Sequence, residues 1–193
     1  MYFPLIFRRR TLPEASRRIN VVSDIAAAAR HEAKEAMQAA IHATQMPIGL
    51  PDLAAVGRLG AAIARRLTVG DAVLLKGDLG AGKTTLARAI LLALGHEGET
   101  PSPTFTLLQS YALKLPVAHL DLYRLKEPGE IEELGLDDAL NEGAALIEWP
   151  EQAEDYLPDD ALTVALGAEP RMAVLSGGGR WPTLIPGIVQ EAA

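Results

Sequence analysis

The sequence predicts an α/β fold, in which a mixed β-sheet is flanked by helices within one domain. Three observations support this prediction. With 193 residues, of which 49% are hydrophobic and 22% charged, the chain is long enough for one well-packed core and too short for two ordinary domains. A short apolar run at 72–75 precedes a glycine-rich loop, and a helix with one apolar face follows that loop. Several further short apolar runs lie downstream at the spacing of strands.

The elements around the loop have clear signals. A helix is predicted from Leu53 to Leu67, because apolar side chains recur there at helical spacing, and Asp52 is placed to cap its first turn. The run from Ala72 to Leu75 is continuously apolar, which is typical of a strand covered on both faces. A second helix is predicted from Lys83 to about Leu94, with Gly95 placed to end it as a left-handed cap.

The rest of the chain is predicted to alternate strands with loops. A helical pair is expected between Gly129 and Leu140, and the proline-containing segment Thr100 to Pro103 is predicted to be a loop. The predicted strands are Phe105 to Tyr111, Val117 to Leu122, Ala144 to Ile147, Leu162 to Leu166 and Met172 to Leu175.

The first 46 residues differ in composition from the rest and are predicted to form an N-terminal extension. They contain the basic run Arg8–Arg10, and Ser23 is placed to cap an alanine-rich helix from about Asp24 to Ala43. Three interpretations stay open: an extension that is dispensable or not part of the native chain, a helix that docks on the domain, and a targeting segment. The domain itself is expected to span 47–193.

Charge is unevenly distributed along the chain. The first 46 residues hold seven of the 18 Lys and Arg and four of the 25 Asp and Glu, which leaves 11 basic and 21 acidic residues downstream. Contacts with a nucleic-acid backbone need clustered Lys and Arg, so a domain this acidic is poorly suited to hold one by itself. We therefore expect no direct binding of DNA, and contact with RNA only through a protein partner.

Several classes of site and location are excluded or disfavoured by composition. The chain has no cysteine, which excludes a disulfide framework, a thiolate zinc site and a cysteine nucleophile. No apolar stretch approaches the roughly 20 residues that span a bilayer, so we expect a soluble, cytoplasmic protein that does not bind membranes. The four histidines lack the spacing of metal ligands and are expected to be ordinary surface or core residues: His31, His42, His96 and His119.

One loop carries the main chemical signal. Residues 77–84 have the sequence Gly-Asp-Leu-Gly-Ala-Gly-Lys-Thr and match the Walker A pattern at every fixed position. Glycines allow successive backbone N–H groups to point at phosphate oxygens, and the following helix N-terminus adds partial positive charge. Lys83 supplies a mobile charge for the terminal phosphates, and the Thr84 hydroxyl is a hard oxygen ligand suited to Mg²⁺. The motif predicts a P-loop NTPase-like fold that binds a nucleotide and Mg²⁺.

Two carboxylates are placed to complete such a site. Asp121 closes one predicted strand and Glu148 follows another, so both are expected at the sheet edge where the glycine-rich loop begins. Each could bind the metal through water or orient an attacking water. The alternative, a surface acid at a strand end, stays open for both. Arg124 could neutralise transferring charge, although its spacing favours a structural ion pair.

Five sequence blocks together resemble the TsaE family, the small bacterial ATPases of tRNA threonylcarbamoyladenosine biosynthesis. The resemblance covers roughly Pro47 to Thr183, and the blocks occur in the order and spacing of the family, which is more specific than a Walker loop alone. The blocks are Gly77–Thr85, Ser102–Thr106, His119–Arg124, Glu133–Gly135 and Ile147–Trp149.

The resemblance implies a function and a set of roles. It implies ATP hydrolysis that supports two partner proteins, TsaB and TsaD, in transferring a threonylcarbamoyl group to adenosine in tRNA. Lys83, Asp121 and Glu148 match the catalytic positions, Thr84 and Glu148 match the Mg²⁺ ligands, and Thr104 matches a switch-like threonine. The residues implied to line the nucleotide are Asp78, Leu79, Gly80, Ala81, Gly82, Lys83, Thr84, Thr85 and Thr104. Trp149 is expected near the site or in an interface or core.

Two other functions compete with this interpretation. A small-molecule kinase shares the loop but usually carries an arginine-rich lid, and the basic residues after Lys83 form no such cluster. A nucleotide-gated switch with incidental hydrolysis uses the same Walker residues and stays open. A GTPase is disfavoured because the chain contains no Asn-Lys-x-Asp segment to read guanine, so ATP is the predicted nucleotide.

Overall fold

A seven-stranded mixed sheet organises residues 45–193, the part of the chain that this computed structural model describes. The predicted helix at 24–43 and its cap Ser23 lie outside the described residues. The strands are β1 (Met46–Gly49), β2 (Ala72–Lys76), β3 (Leu108–Tyr111), β4 (Val117–Asp121), β5 (Ala144–Glu148), β6 (Leu162–Ala168) and β7 (Arg171–Gly177). Met46, which the sequence analysis assigned to the extension, is therefore the first residue of β1.

The sheet has a parallel centre and antiparallel edges. Its strand order is β1-β7-β6-β2-β5-β4-β3. Strands β6, β2, β5 and β4 are parallel to one another, whereas the pairs β1–β7, β7–β6 and β4–β3 are antiparallel. Parallel pairing brings the carboxyl ends of β2, β5 and β4 to one edge of the sheet. That edge is where ligands bind in open α/β sheets.

Helices cover both faces of the sheet and create two hydrophobic clusters. They are α1 (Leu53–Ala64), α2 (Lys83–Ala93), α3 (Glu130–Glu133), α4 (Leu136–Glu142) and α5 (Trp181–Ala192). Val73 and Leu75 of β2 point into the cluster beneath α1, α2 and α5. Leu74 points to the opposite face, into the cluster that contains residues of α3 and α4. The central strand is buried on both faces, which confirms its prediction as a doubly covered strand.

The predicted fold class and most predicted elements are confirmed. The Asp52 carboxylate accepts a hydrogen bond of 2.8 Å from the backbone N–H of Ala55 and caps α1 as expected. Gly95 has a φ of 95° and follows α2 in the left-handed conformation expected of it. The helical pair predicted between Gly129 and Leu140 is present as α3 and α4.

The prediction of a strand beginning at Phe105 is wrong for its first three residues. Leu107 has a φ of 62°, which no strand residue adopts, and its N–H donates to the Pro103 carbonyl at 2.7 Å. The Leu107 carbonyl accepts from the N–H of Asp121 at 3.0 Å. These bonds fold 103–107 into a turn against the end of β4, and the strand begins only at Leu108.

Leu122 and the chain ends also differ from the predictions. Leu122 leaves β4 and begins a single 3₁₀ turn, because the Asp121 carboxylate accepts from the N–H of Tyr123. Neither β1 nor α5 was predicted. Pro182 lies in the first turn of α5, where proline is tolerated, but Pro186 lies inside the helix and obscures the helical pattern.

Close packing of α1 on α2 sets the position of the glycine-rich loop, because α2 begins at Lys83. Gly60 of α1 is buried at this contact, and a Cβ added there would lie 2.6 Å from Cβ of Ala89 and 2.8 Å from its backbone carbon. Gly57 lies on the exposed face of the same helix, where a Cβ would meet nothing within 4 Å. The two glycines therefore lie in the same helix and differ in how closely it packs around them.

Gly60→Ala should destabilise the protein by about 1–3 kcal/mol, because relieving the overlap requires α1 and α2 to separate. Gly57→Ala is the matched control and should stabilise the protein by about 0.5–1 kcal/mol, through helix propensity alone. Chemical denaturation measures both differences. Equal stabilisation by the two substitutions would contradict the described packing.

Arginine–glutamate pairs hold α5 against the end of α1. Arg66 donates to one Glu191 oxygen at 2.6 Å, and Arg65 donates to the other at 2.5 Å. Hydrogen bonds from Arg66 and then Arg65 lower the pKa of Glu191 from 4.5 to about 2. Arg180, just before α5, forms a second ion pair with Asp71.

Glu191→Gln should lower the thermal midpoint at neutral pH, with a difference that shrinks in acid. Because the folded-state pKa is depressed, the contribution of Glu191 is complete above the ordinary value of 4.5 and is lost as pH falls toward 2. Thermal unfolding across this range, at low ionic strength, measures the difference. Glu97→Gln, the same substitution in an exposed loop away from α5, is the control. A difference for Glu191→Gln that stays constant down to the lowest pH would contradict the assignment.

Candidate functional site

The glycine-rich loop connects β2 to α2 at the carboxyl edge of the sheet. Gly77 and Gly82 have φ values of 136° and 105°, which favour glycine. A Cβ at Gly77 would also collide with the carbonyl oxygen of Leu166 on β6. Gly82 immediately precedes α2, and no side chain of the described residues caps the first turn of that helix. Its N–H groups are thus free to bind an anion.

Lys83 folds back over this loop. Its ammonium donates to the carbonyl oxygens of Gly77 and Asp78 at 2.5 and 2.9 Å, and lies 3.7 Å from the ring centroid of Trp149. The residue is only 5% exposed. Backbone oxygens and an aromatic face therefore compensate the charge of the buried ammonium.

The charge of Lys83 is incompletely compensated. Burial lowers the pKa of Lys83 from its ordinary 10.5, because desolvation disfavours the ammonium form. Nearby carboxylates oppose this shift, in decreasing order Glu148, Glu151, Asp121 and Asp78. Desolvation is the larger effect. A bound anion would add attraction at this position and favour the charged lysine.

Glu148 and Thr84 form a hydrogen-bonded pair of oxygen groups beside the lysine. Glu148 is the last residue of β5, is 2% exposed, and accepts a hydrogen bond of 2.9 Å from the Thr84 hydroxyl. The β4–β5 register places Asp121 directly opposite Glu148. Two strand ends and the first turn of α2 thus bring a hydroxyl and two carboxylates together.

Asp121 connects the strand ends to the preceding loop. Its carboxylate accepts from the Thr104 hydroxyl at 2.5 Å and from the N–H of Tyr123 at 3.1 Å. The Thr104 hydroxyl is also 2.7 Å from that of Ser102. Thr104 is therefore held at the site from a distant part of the chain, in the turn that replaces the predicted start of β3.

These groups surround one cavity of about 270 Å³. Its lining residues are Leu79, Gly80, Gly82, Lys83, Thr84, Thr85, Thr104, Asp121, Tyr123, Glu148 and Trp149. Nearly all the site residues predicted from the sequence line this cavity, and two do not. Asp78 contributes its carbonyl to Lys83 from the exposed side, and the Ala81 side chain packs into the hydrophobic cluster.

Three residues at the site were missed or left open by sequence reasoning. His119 is fully buried, and its Nε2 lies 2.9 Å from the second Glu148 oxygen. Tyr123 packs its ring 4.9 Å from that of Trp149, which has a φ of 57°. The position of His119 two residues before Asp121, on the same strand face, is the signal that could have identified it. Tyr123 carries no comparable signal, whereas Trp149, for which a place near the site was one of the expectations, lines the cavity.

Arg124 does not form the ion pair that its spacing favoured. Its guanidinium lies 5.2 Å from the ring centroid of Phe105, and the ion pairs within residues 45–193 do not include it. Both side chains are exposed next to the turn that holds Thr104. Arg124 therefore contacts the 103–107 turn through a cation–π interaction at the surface.

The oxygen groups fit a magnesium ion that is bound together with a nucleotide. The described residues contain no cluster of three or more His, Cys, Asp or Glu side chains able to hold a metal. Mg²⁺ does not need such a cluster, because it keeps several waters and takes one or two carboxylates together with substrate phosphates. Thr84 and Glu148 supply two hard oxygens 2.9 Å apart beside the phosphate-binding loop. When bound, the ion would neutralise phosphate charge.

Comparison with known proteins identifies similar sequences over the same region. The profile of the family described as threonylcarbamoyl adenosine biosynthesis protein TsaE matches residues 50–173. The chain is 46% identical over 94 residues to the tRNA threonylcarbamoyladenosine biosynthesis protein TsaE of Haemophilus influenzae, covering 48% of this chain and 60% of that one. It is 36% identical over 124 residues to the protein of the same name from Treponema pallidum, covering 64% and 87%.

A solved structure has the same fold. The crystal structure of Bacillus subtilis YdiB superposes with a TM-score of 0.64 at 27% identity, covering 77% of this chain and 97% of that one. The matched regions span 60% to 65% of the length of the Haemophilus influenzae and Rickettsia conorii relatives. Within residues 45–193, no helix has the length and apolar character needed to cross a membrane.

Nucleotide binding should change the fluorescence of Trp149, because phosphates attract the Lys83 ammonium away from the indole ring. Emission of the wild-type protein is recorded during titration with ATP and Mg²⁺. The other tryptophan, Trp181, is buried in the core and should contribute a constant background. Trp149→Phe should abolish the change while leaving binding measurable by calorimetry. A nucleotide-dependent change that persists in Trp149→Phe would contradict the described contact.

Proposed function

The chain belongs to the TsaE family, and from this premise we propose that it is an ATPase required for threonylcarbamoyladenosine, t(6)A, modification of tRNA. It acts with TsaB and TsaD, and it contacts tRNA through these partners. One observation supports the proposal most strongly: Lys83, Thr84, Asp121 and Glu148, drawn from three separate elements, line a single cavity at the glycine-rich loop.

The loop geometry supports binding of the nucleotide phosphates. Free N–H groups at the start of α2 and the lysine ammonium converge on the cavity, and both attract anions. Lys83 is expected to exchange the carbonyls of Gly77 and Asp78 for the terminal phosphates. ATP is the proposed nucleotide, since the chain lacks a guanine-reading Asn-Lys-x-Asp segment.

Hydrolysis requires a positioned water and compensation of the charge on the transferring phosphoryl group. Thr84 and Glu148 are proposed to hold Mg²⁺, and Lys83 to stabilise charge that develops on the terminal phosphate. Asp121 and Glu148 are the carboxylates available to orient the attacking water. Thr104 reaches the same place through Asp121, so nucleotide binding can be communicated to the 103–107 turn.

The charge distribution supports a role through protein partners. Residues 47–193 carry 11 basic and 21 acidic side chains, which disfavours direct binding to a tRNA backbone. TsaB and TsaD would then supply the surface that holds tRNA. A cytoplasmic location, where these partners and tRNA meet, belongs to the same proposal.

Purified protein should hydrolyse ATP slowly alone and faster with TsaB, TsaD and tRNA. Lys83→Ala should lower the rate by about 100-fold or more in both conditions, because a charge that stabilises the transition state is lost. Release of inorganic phosphate measures the rate. Lys114→Ala, an exposed lysine outside the cavity, is the matched control and should retain the wild-type rate. Hydrolysis that does not respond to the partners would overturn the tRNA-modification role and leave nucleotide binding standing.

Glu148→Ala separates turnover from switching. If ATP hydrolysis drives the modification, the Glu148→Ala variant should lose both hydrolysis and support for t(6)A formation. A nucleotide-gated switch would instead lose hydrolysis and still support the partners, at ATP and Mg²⁺ concentrations that saturate the variant. Measuring t(6)A in tRNA by mass spectrometry, in a reconstituted reaction with each variant, distinguishes the two.

A further inference from the structure

His119 is a buried titratable residue for which the proposed mechanism has no role. It lies on β4 between Val117 and Asp121, and alternation along the strand places these three side chains on the same face of the sheet. Its exposed fraction is 0%. Imidazole is a polar group, and its burial carries a cost unless hydrogen bonds compensate for lost water.

Only one nitrogen of His119 has a hydrogen-bond partner. Nε2 lies 2.9 Å from Oε1 of Glu148, whereas Nδ1 is buried without a partner among the described residues. An ionised carboxylate only accepts hydrogen bonds, so Nε2 carries the proton and donates it. Nδ1 is then left as a buried nitrogen that meets no hydrogen-bonding group among the described residues. The arrangement thus aims the one imidazole N–H at Glu148.

Glu148 receives a donor on each oxygen. His119 donates to Oε1 and the Thr84 hydroxyl donates to Oε2, both at 2.9 Å. Two fixed donors on opposite oxygens set the rotation of the carboxylate plane. The Thr84 hydroxyl is a proposed ligand of the cation, so cation binding would alter its hydrogen bond to Glu148. The His119 bond comes from a central strand and is independent of the loop.

We propose that His119 is a positioning residue that orients the Glu148 carboxylate toward a divalent cation bound with the nucleotide. The proposal rests on the nucleotide-binding function proposed above and adds a determinant of its cation requirement. Groups that hold a metal ligand in place commonly change metal affinity by about 10- to 100-fold when they are removed. His119 acts through Glu148, without contact to the nucleotide.

The test compares two substitutions that differ in where they place a donor. In His119→Gln the side-chain amide reaches the position of Nε2 and can still donate to Glu148. In His119→Asn the amide reaches only the position of Nδ1, so Glu148 loses this donor. ATP affinity of the full chain is measured by calorimetry over a Mg²⁺ series that begins in excess EDTA.

His119→Asn should need about 10-fold more Mg²⁺ for half-maximal strengthening of ATP binding, with affinity in EDTA unchanged. His119→Gln should stay close to wild type. A purely structural role would lower the melting temperature of the variants and leave the Mg²⁺ midpoint in place, which would overturn the proposal. If wild-type ATP binding itself does not respond to Mg²⁺, the proposed function fails as well, so the two failures are distinguishable.

A measurement on the wild-type protein does not depend on whether a substituted protein folds. Long-range ¹H–¹⁵N NMR of the imidazole should show a proton on Nε2. The Nε2 resonance should shift on addition of ATP with Mg²⁺ and remain in place with ATP in EDTA. A proton on Nδ1 alone, or equal shifts with and without Mg²⁺, would overturn the positioning role.

Discussion

Parallel pairing of β2, β5 and β4 is the constraint on which the site depends. It places the glycine-rich loop, Glu148 and Asp121 at one edge of the sheet, although they lie far apart in the sequence. The register leaves no freedom, because a shift of one residue would turn each carboxylate to the opposite face. Helix α2, which begins directly after the loop, adds Lys83 and Thr84 from its first turn. The buried apolar faces of these strands fix the register. The register in turn fixes the distances between the charged side chains of the site.

Burial of charge explains the internal hydrogen bonds of the site. Lys83, Asp121 and Glu148 are each at most 5% exposed, and isolated buried charges are costly. Each therefore has partners within the protein: carbonyls for the lysine, and hydroxyl, imidazole or backbone donors for the carboxylates. A nucleotide with its cation offers stronger partners of the same kind.

Sequence patterns predicted the elements that depend on local residue order. They missed the features that depend on tertiary contacts. The helix from Leu53, the strand at 72–76 and the phosphate-binding loop have periodicity or spacing that survives folding. The turn at 103–107 does not, since bonds to Asp121 override the strand propensity of Phe105 and its neighbours. In the sequence, His119 resembles an ordinary core residue. Its contact with Glu148 becomes evident only when β4 and β5 are known to be adjacent. For α5, the internal Pro186 hid the helix.

The position of β2 at the centre of the sheet has a consequence for synthesis of the protein. Both of its neighbours follow much later in the chain, with Ala72 paired to Ala145 and Val73 paired to Leu162. On the ribosome, the strand that leads into the loop therefore emerges with both edges unpaired and remains so until β5 and β6 have been made. Such edges invite pairing with other chains. Chaperone dependence and sensitivity to translation rate should thus concentrate on the interval between the end of β2 at Lys76 and the end of β6 at Ala168.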